Sequence, residues 1–120
     1  WDLLLLDLHT SSGMSPIVLA PEFLPTCKRH TAAGGVLVAN LWYGINRVAE
    51  RQVRQLLESC FEHVLYLPVA GKLNCIALGV SGRALPTWTE LETRAAHWQQ
   101  RCQLPMPEML AELDRRNPLR

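Results

Sequence analysis

The chain is 120 residues long, 48% apolar and 19% charged, with a formal net charge of +1. That length holds one domain or part of one, and the apolar share is enough for a packed core. The charge balance gives no electrostatic case for nucleic acid or a membrane surface as partner, no apolar run nears the roughly 20 residues of a membrane helix, and Asp2 and Asp7 stand where a signal peptide would be basic.

The chain opens on WDLLLLDLHTSSGMSP. Asp2 to Leu8 is predicted to be a strand, and its unbroken leucines, Leu3 to Leu6, predict burial on both faces of a parallel sheet. Asp7 stands at the C-terminal end of that strand, before a Ser/Gly loop, which is where open α/β sheets bind ligands. A plainer role for the same carboxylate is to accept backbone N–H groups of the loop. The chain starts on this strand without lead-in, and a parallel sheet needs neighbours. The sequence therefore reads as the C-terminal part of a larger protein.

His9 to Pro21 is predicted to be loop. A helix follows from Pro21 or Glu22 to about His30, with Phe23, Leu24 and Cys27 as its apolar stripe. Lys28, Arg29 and His30 suit its negative end. After the turn at Ala33-Gly34-Gly35, Val36 to Leu41 is a second strand. Its end places Asn40 and Trp42 at the ligand-facing edge, as binding residues or simply as an exposed amide and a half-buried indole. Gly44 and Asn46 break the strand, and Asn46 can cap the next helix, which runs to about Cys60.

That helix carries Ala49, Val53, Leu56, Leu57, Cys60 and Phe61 on one face and Arg47, Glu50, Arg51, Arg54 and Glu58 on the other, which reads as solvated surface. His63–Val69 and Leu73–Val80 are strands joined by Ala70-Gly71-Lys72, a turn too short for anything but an antiparallel hairpin. Two helices close the chain, about Trp88 to Cys102 and Pro107 to Arg115. Trp98 reads as core, and Trp88 as core or as the wall of a pocket. The order is β-α-β-α-β-β-α-α, a four-stranded mixed sheet with about four helices.

The cysteines, Cys27, Cys60, Cys75 and Cys102, form no CxxC pair and the histidines no HxxxH pair. Buried free thiols in a reducing cytoplasm are expected, with no disulfide and no metal.

The order is similar to the second half of the class I S-adenosylmethionine-dependent methyltransferase fold. The words WDLLLLDLHTSSGMSP, PEFLPTCKRHTAAGGVLVANLW and RAAHWQQRCQLPMPEML resemble the spermidine synthase (polyamine aminopropyltransferase) family over nearly the whole chain. The resemblance implies transfer of a propylamine group from decarboxylated S-adenosylmethionine to a polyamine. It makes Asp7 the catalytic base that takes a proton from the attacking amine, a role a carboxylate can fill. It matches Thr10, Ser11 and Ser12 to the family's gatekeeping loop; His9 in the same loop, Asn40 and Trp42 at the strand end, and Trp88 are further candidate substrate contacts by their position. Thr10 stands where the family carries a second, amine-binding aspartate, a departure that weakens the case for a polyamine.

No G-x-G-x-x-G loop follows a strand in this chain. Gly34-Gly35 is a turn on the wrong side of the sheet. Cofactor-binding residues are thus expected upstream, and the 120 residues alone are expected to be inactive. The other readings are a methyltransferase acting on another nucleophile and a non-catalytic assembly module of the same fold. A homodimer is expected through the first strand or a bare sheet face, because such an edge is a template for pairing.

Overall fold

The structure is a computed structural model, describing residues 1–42, 47–82 and 84–117. Its strands are β1 (Leu3–Leu6), β2 (His9–Thr10), β3 (Gly13–Met14), β4 (Val36–Trp42), β5 (His63–Pro68) and β6 (Asn74–Val80). Its helices are α1 (Phe23–His30), α2 (Arg47–Cys60), α3 (Trp88–Cys102) and α4 (Met106–Arg116), with a 3₁₀ turn at Pro16–Leu19. The predicted breaks and cap at Gly44 and Asn46 lie outside the described residues.

The main sheet has the order β1-β4-β6-β5. β1 runs parallel to β4, and β6 runs antiparallel to both β4 and β5. The antiparallel last strand is therefore inserted between its two predecessors. The predicted loop after β1 is more ordered than expected: β2 and β3 form a two-stranded hairpin, with His9 opposite Met14 and Thr10 opposite Gly13. β1 is also shorter than the predicted Asp2–Leu8, because the Leu8 carbonyl turns away to accept from the Ser15 N–H at 2.9 Å.

Strand alternation sorts the sheet into two unequal faces. The registers Leu4↔Leu37↔Gly79 and Leu6↔Ala39↔Ala77 put these residues on one face, with Leu41 and Cys75 continuing it. There they meet Leu24 and Cys27 of α1, Val53 and Leu57 of α2, and Phe61. Leu24, Leu37, Leu41, Val53 and Leu57 are fully buried, each contributing about 1.5–3 kcal/mol of apolar burial.

The other face is covered unevenly. α3 packs on α4, and α4 packs on β5, at the far edge of the sheet from β1. Leu3 and Leu5 consequently stay 56% and 66% exposed, so the expectation of burial on both faces of the first strand is corrected to one. The same geometry corrects Trp98, which is exposed rather than core. It lies against the His97 ring and under the Arg101 guanidinium, while Ala95 makes the buried contact of α3. α3 starts on a reciprocal cap, the Thr87 hydroxyl accepting from the Glu90 N–H and the Glu90 carboxylate from the Thr87 N–H, worth about 1 kcal/mol.

α2 departs from a plain solvated polar face. Glu50 is buried and pairs with Arg54, whose guanidinium lies 3.9 Å from the centre of the Tyr66 ring. The Tyr66 hydroxyl donates to Glu58 at 2.9 Å. Burial, then Glu58, holds this phenol well above its ordinary range. The cysteines divide as well: Cys27 and Cys75 are buried, Cys60 is half-buried and Cys102 exposed, all as free thiols. Burial pushes the Cys27 thiol up.

The two edges of the sheet are finished differently. At β5, the Asn117 carboxamide accepts from the Tyr66 N–H at 2.9 Å and donates to the Tyr66 carbonyl at 2.9 Å, as a further strand would. At β1 the described residues supply no such group. No helix among the described residues is long and apolar enough to cross a membrane, and no cluster among them suits a metal ion.

Two outcomes follow from this packing. A Cβ on Gly79 would stand 2.8 Å from Cγ of the buried Phe61 ring. Gly79→Ala is expected to cost about 1–3 kcal/mol by overpacking, read as a lower urea midpoint at unchanged slope. Glu62 accepts from Lys28 and from the Gly82 N–H. Lys28 foremost, then Gly82, draws its carboxyl from the ordinary 4.5 down to about 2. The unfolded chain then takes up this proton first as pH falls, so the contribution is complete above about 4.5 and is lost on descent toward about 2. Glu62→Gln is expected to flatten the acid limb of a stability–pH profile in that window and to leave its shape near neutrality unchanged.

Candidate functional site

Alternation that turns half-buried Leu4 and Leu6 toward the core sends the odd residues of this segment to the opposite face, and Asp7 continues that series just past β1. On β4, Asn40 and Trp42 share that face. On β6, Asn74 shares it too, opposite Trp42 in the register. Because β1 and β4 are parallel and β6 is antiparallel to them, the C-terminal ends of the first two meet the N-terminal end of the third. Three strands far apart in sequence thus bring polar side chains to one edge.

These side chains form a directed chain of hydrogen bonds. Asn74 Nδ2 donates to Asn40 Oδ1 at 2.9 Å, and Asn40 Nδ2 donates to Asp7 Oδ1 at 3.0 Å. His9 Nδ1 lies 3.0 Å from the same carboxylate oxygen. An ionised carboxylate only accepts, so the Asn40 amide must present its NH₂ to Asp7 and its carbonyl to Asn74. Asp7 itself remains open to solvent, with 74% of its side chain exposed, against 25% for His9.

The hairpin closes over this edge. Thr10 Oγ1 donates to the Gly13 carbonyl at 3.2 Å, accepts from the Ser12 N–H at 3.3 Å and lies 3.1 Å from Ser12 Oγ. Gly13, at φ +141°, stands beside the Trp42 indole, so close that an added Cβ would lie 3.3 Å from the ring. A cleft of about 250 Å³ results, lined among the described residues by His9, Thr10, Asn40, Trp42 and Asn74. Its walls carry two carboxamides, an imidazole, a hydroxyl and an indole, with Asp7 behind His9 and no Lys or Arg.

The structure therefore gathers Asp7, His9, Thr10, Asn40 and Trp42. Ser11 and Ser12 form the exposed turn of the hairpin and do not line the cleft. Trp88 is elsewhere. β6 ends at Val80 opposite Val36, and Ser81 bonds Gly34 and Gly35, so α3 is entered from the sheet edge opposite Asp7. Sequence reasoning missed Asn74, whose place depends on β6 lying beside β4. The one available signal was a carboxamide opening an otherwise apolar strand.

Neither a protein-family model nor a curated protein matches the chain. A solved structure does, that of human methyltransferase-like protein 13 in complex with SAH. It superposes at a TM-score of 0.68 with 22% identity, over 92% of this chain and 49% of that one. The chain thus spans about half the length of this neighbour and has a class I methyltransferase-like α/β fold, in line with the architecture expected from the sequence. The likeness does not single out spermidine synthases.

The hairpin's contact with Trp42 can be tested directly. A side chain at Gly13 meets both an unfavourable φ and the indole at 3.3 Å. Gly13→Ala is expected to displace the hairpin without unfolding the sheet. In NMR spectra, shifts should move at His9–Met14 and at the Trp42 indole, and stay put at Leu37, Val53 and Leu57.

Proposed function

We propose that this chain is the acceptor-side part of a group transferase whose donor is an S-adenosylmethionine-type sulfonium. The observation that carries the reading is Asp7, a carboxylate held by Asn40 at the C-terminal edge of parallel strands and bonded to His9, which lines a cleft with no Lys or Arg among its described walls. Ligands of open α/β sheets sit at that edge. The donor set also fits the group: one carboxylate, amide carbonyls and an indole face suit a positively charged reacting end.

When bound, such a donor supplies an electrophilic carbon beside a cationic sulfur. The chain's own residues then have two tasks. Asp7 provides counter-charge, and the Asp7–His9 pair provides the basic group, since an ammonium or hydroxyl acceptor must lose a proton to attack. Asn74, Thr10 and Trp42 bound the acceptor and limit its size. Residues gripping the nucleotide are assigned to the part of the fold that this chain does not span.

Methyl transfer is the favoured reaction, supported by a neighbour that carries SAH. Aminopropyl transfer is the second reading, favoured by the resemblance of the Asp7 segment to spermidine synthases. It is weakened by Thr10, a neutral residue where a polyamine would meet a second carboxylate.

The test is to supply the whole protein with S-adenosylmethionine, and separately with decarboxylated S-adenosylmethionine and putrescine, and to identify the adenosyl product by mass spectrometry. S-adenosylhomocysteine in the first reaction supports methyl transfer, and methylthioadenosine in the second supports aminopropyl transfer. Neither product, in a protein offered a panel of amine and hydroxyl acceptors, would leave the non-catalytic reading. With the active pair, Asp7→Asn is expected to lower turnover about a hundredfold while changing the acceptor KM far less.

A further inference from the structure

Within that transferase reading, on which this inference rests, we propose that His9 Nε2 receives the acceptor's proton and that Asn74, Asn40 and Asp7 hold His9 in the tautomer that can take it. Three observations point to this division of labour. His9 lines the cleft and Asp7 does not. Asp7 Oδ1 is already the meeting point of Asn40 Nδ2 and His9 Nδ1, both at 3.0 Å. His9 Nδ1 faces Asp7, so Nε2 lies across the ring from it, and Nε2 makes no hydrogen bond among the described residues.

The tautomer follows from the donors and acceptors. Asp7 turns the Asn40 NH₂ toward its Oδ1, the oxygen that also meets His9, and Asn74 donates to the Asn40 carbonyl on the far end of that amide. Asp7 can only accept from His9, so Nδ1 carries the hydrogen and the neutral ring keeps its lone pair on Nε2. In the step itself the acceptor's N–H or O–H bond breaks, and its electron pair stays on the heteroatom. The proton bonds to the Nε2 lone pair, and the imidazolium that forms is neutralised by Asp7. Asp7 is then a positioning residue. Among the described residues Asp7 is the titratable group facing His9, while Thr10, Asn40, Trp42 and Asn74 around it are uncharged.

The test reads the ring directly. In ¹⁵N-histidine-labelled protein, long-range ¹H–¹⁵N spectra at a pH where His9 is neutral are expected to show the Nδ1–H form. In Asp7→Ala, which removes the acceptor at Nδ1, the Nδ1–H form is expected to lose its dominance. A wild-type ring in the Nε2–H form overturns the inference and leaves the transferase reading standing. His9→Gln is expected to lose about a hundredfold in kcat, together with the limb of the pH–rate profile that reports a neutral imidazole. A His9→Gln protein with wild-type rate and pH profile overturns the role of His9 alone. A protein with the Nδ1–H ring that transfers from neither sulfonium donor overturns both. The tautomer measurement on unsubstituted protein stands even where a variant fails to fold.

Discussion

The cleft depends on one pairing, β6 against β4. An antiparallel strand inserted between two parallel ones reverses direction at one place in the sheet, and there a strand beginning meets a strand end. Asn74 opens β6 beside Trp42, which closes β4. Without that reversal the edge would carry Asp7 and Asn40 with no second amide to bond the Asn40 carbonyl. The same pairing orders the core, since Leu37, Ala39 and Leu41 are stacked beside Gly79, Ala77 and Cys75. Gly79 leaves the room that Phe61 fills. Core packing and site geometry are thus two faces of one register, separated by the alternation of a strand.

Much of this was legible in the chain. Helical spacing in Val53, Leu57 and Phe61 and the short Ala70-Gly71-Lys72 turn are local signals, and α2 and the β5–β6 hairpin follow them. Asp7 and Asn40 were readable as strand-end residues for the same reason. What was not legible depends on which elements end up adjacent. Leu3 to Leu6 read as buried on both faces because composition does not say how far α3 and α4 extend over the sheet. Trp98 sits at an apolar spacing on α3, but Ala95 takes the contact and the indole turns outward. Glu50 looked like surface, and its burial requires Arg54 beside it and the Tyr66 ring against that guanidinium. Trp88 follows the last strand, and only the strand's direction tells which end of the sheet that is.

The electrostatic character of the cleft is set as much by uncharged groups as by Asp7. Carboxamides have both a donor and an acceptor end, so a row of them carries orientation from one residue to the next without carrying charge. Asn74 and Asn40 use this to fix the Asp7 oxygen that also meets His9. The hairpin supplies the rest through a separate set of bonds centred on Thr10. The two halves, strand edge and hairpin, meet at His9 and at the indole of Trp42.

The finish of the two sheet edges has a consequence for how the molecule can grow. At β5 the backbone groups pointing outward belong to Val64, Tyr66 and Pro68, as the bonding of Tyr66 to Asn117 shows. Tyr66 has both its N–H and carbonyl satisfied by Asn117, and proline has no N–H to offer. A visiting strand therefore finds little to pair with on that side, while β1 offers a regular ladder flanked by Leu3 and Leu5. Among the described residues, then, the β5 margin is closed at Tyr66 and Pro68 and the β1 margin is not. Two sheets joined through β1 would show only their finished margins to the outside, so such a union closes on itself and does not seed a fibre.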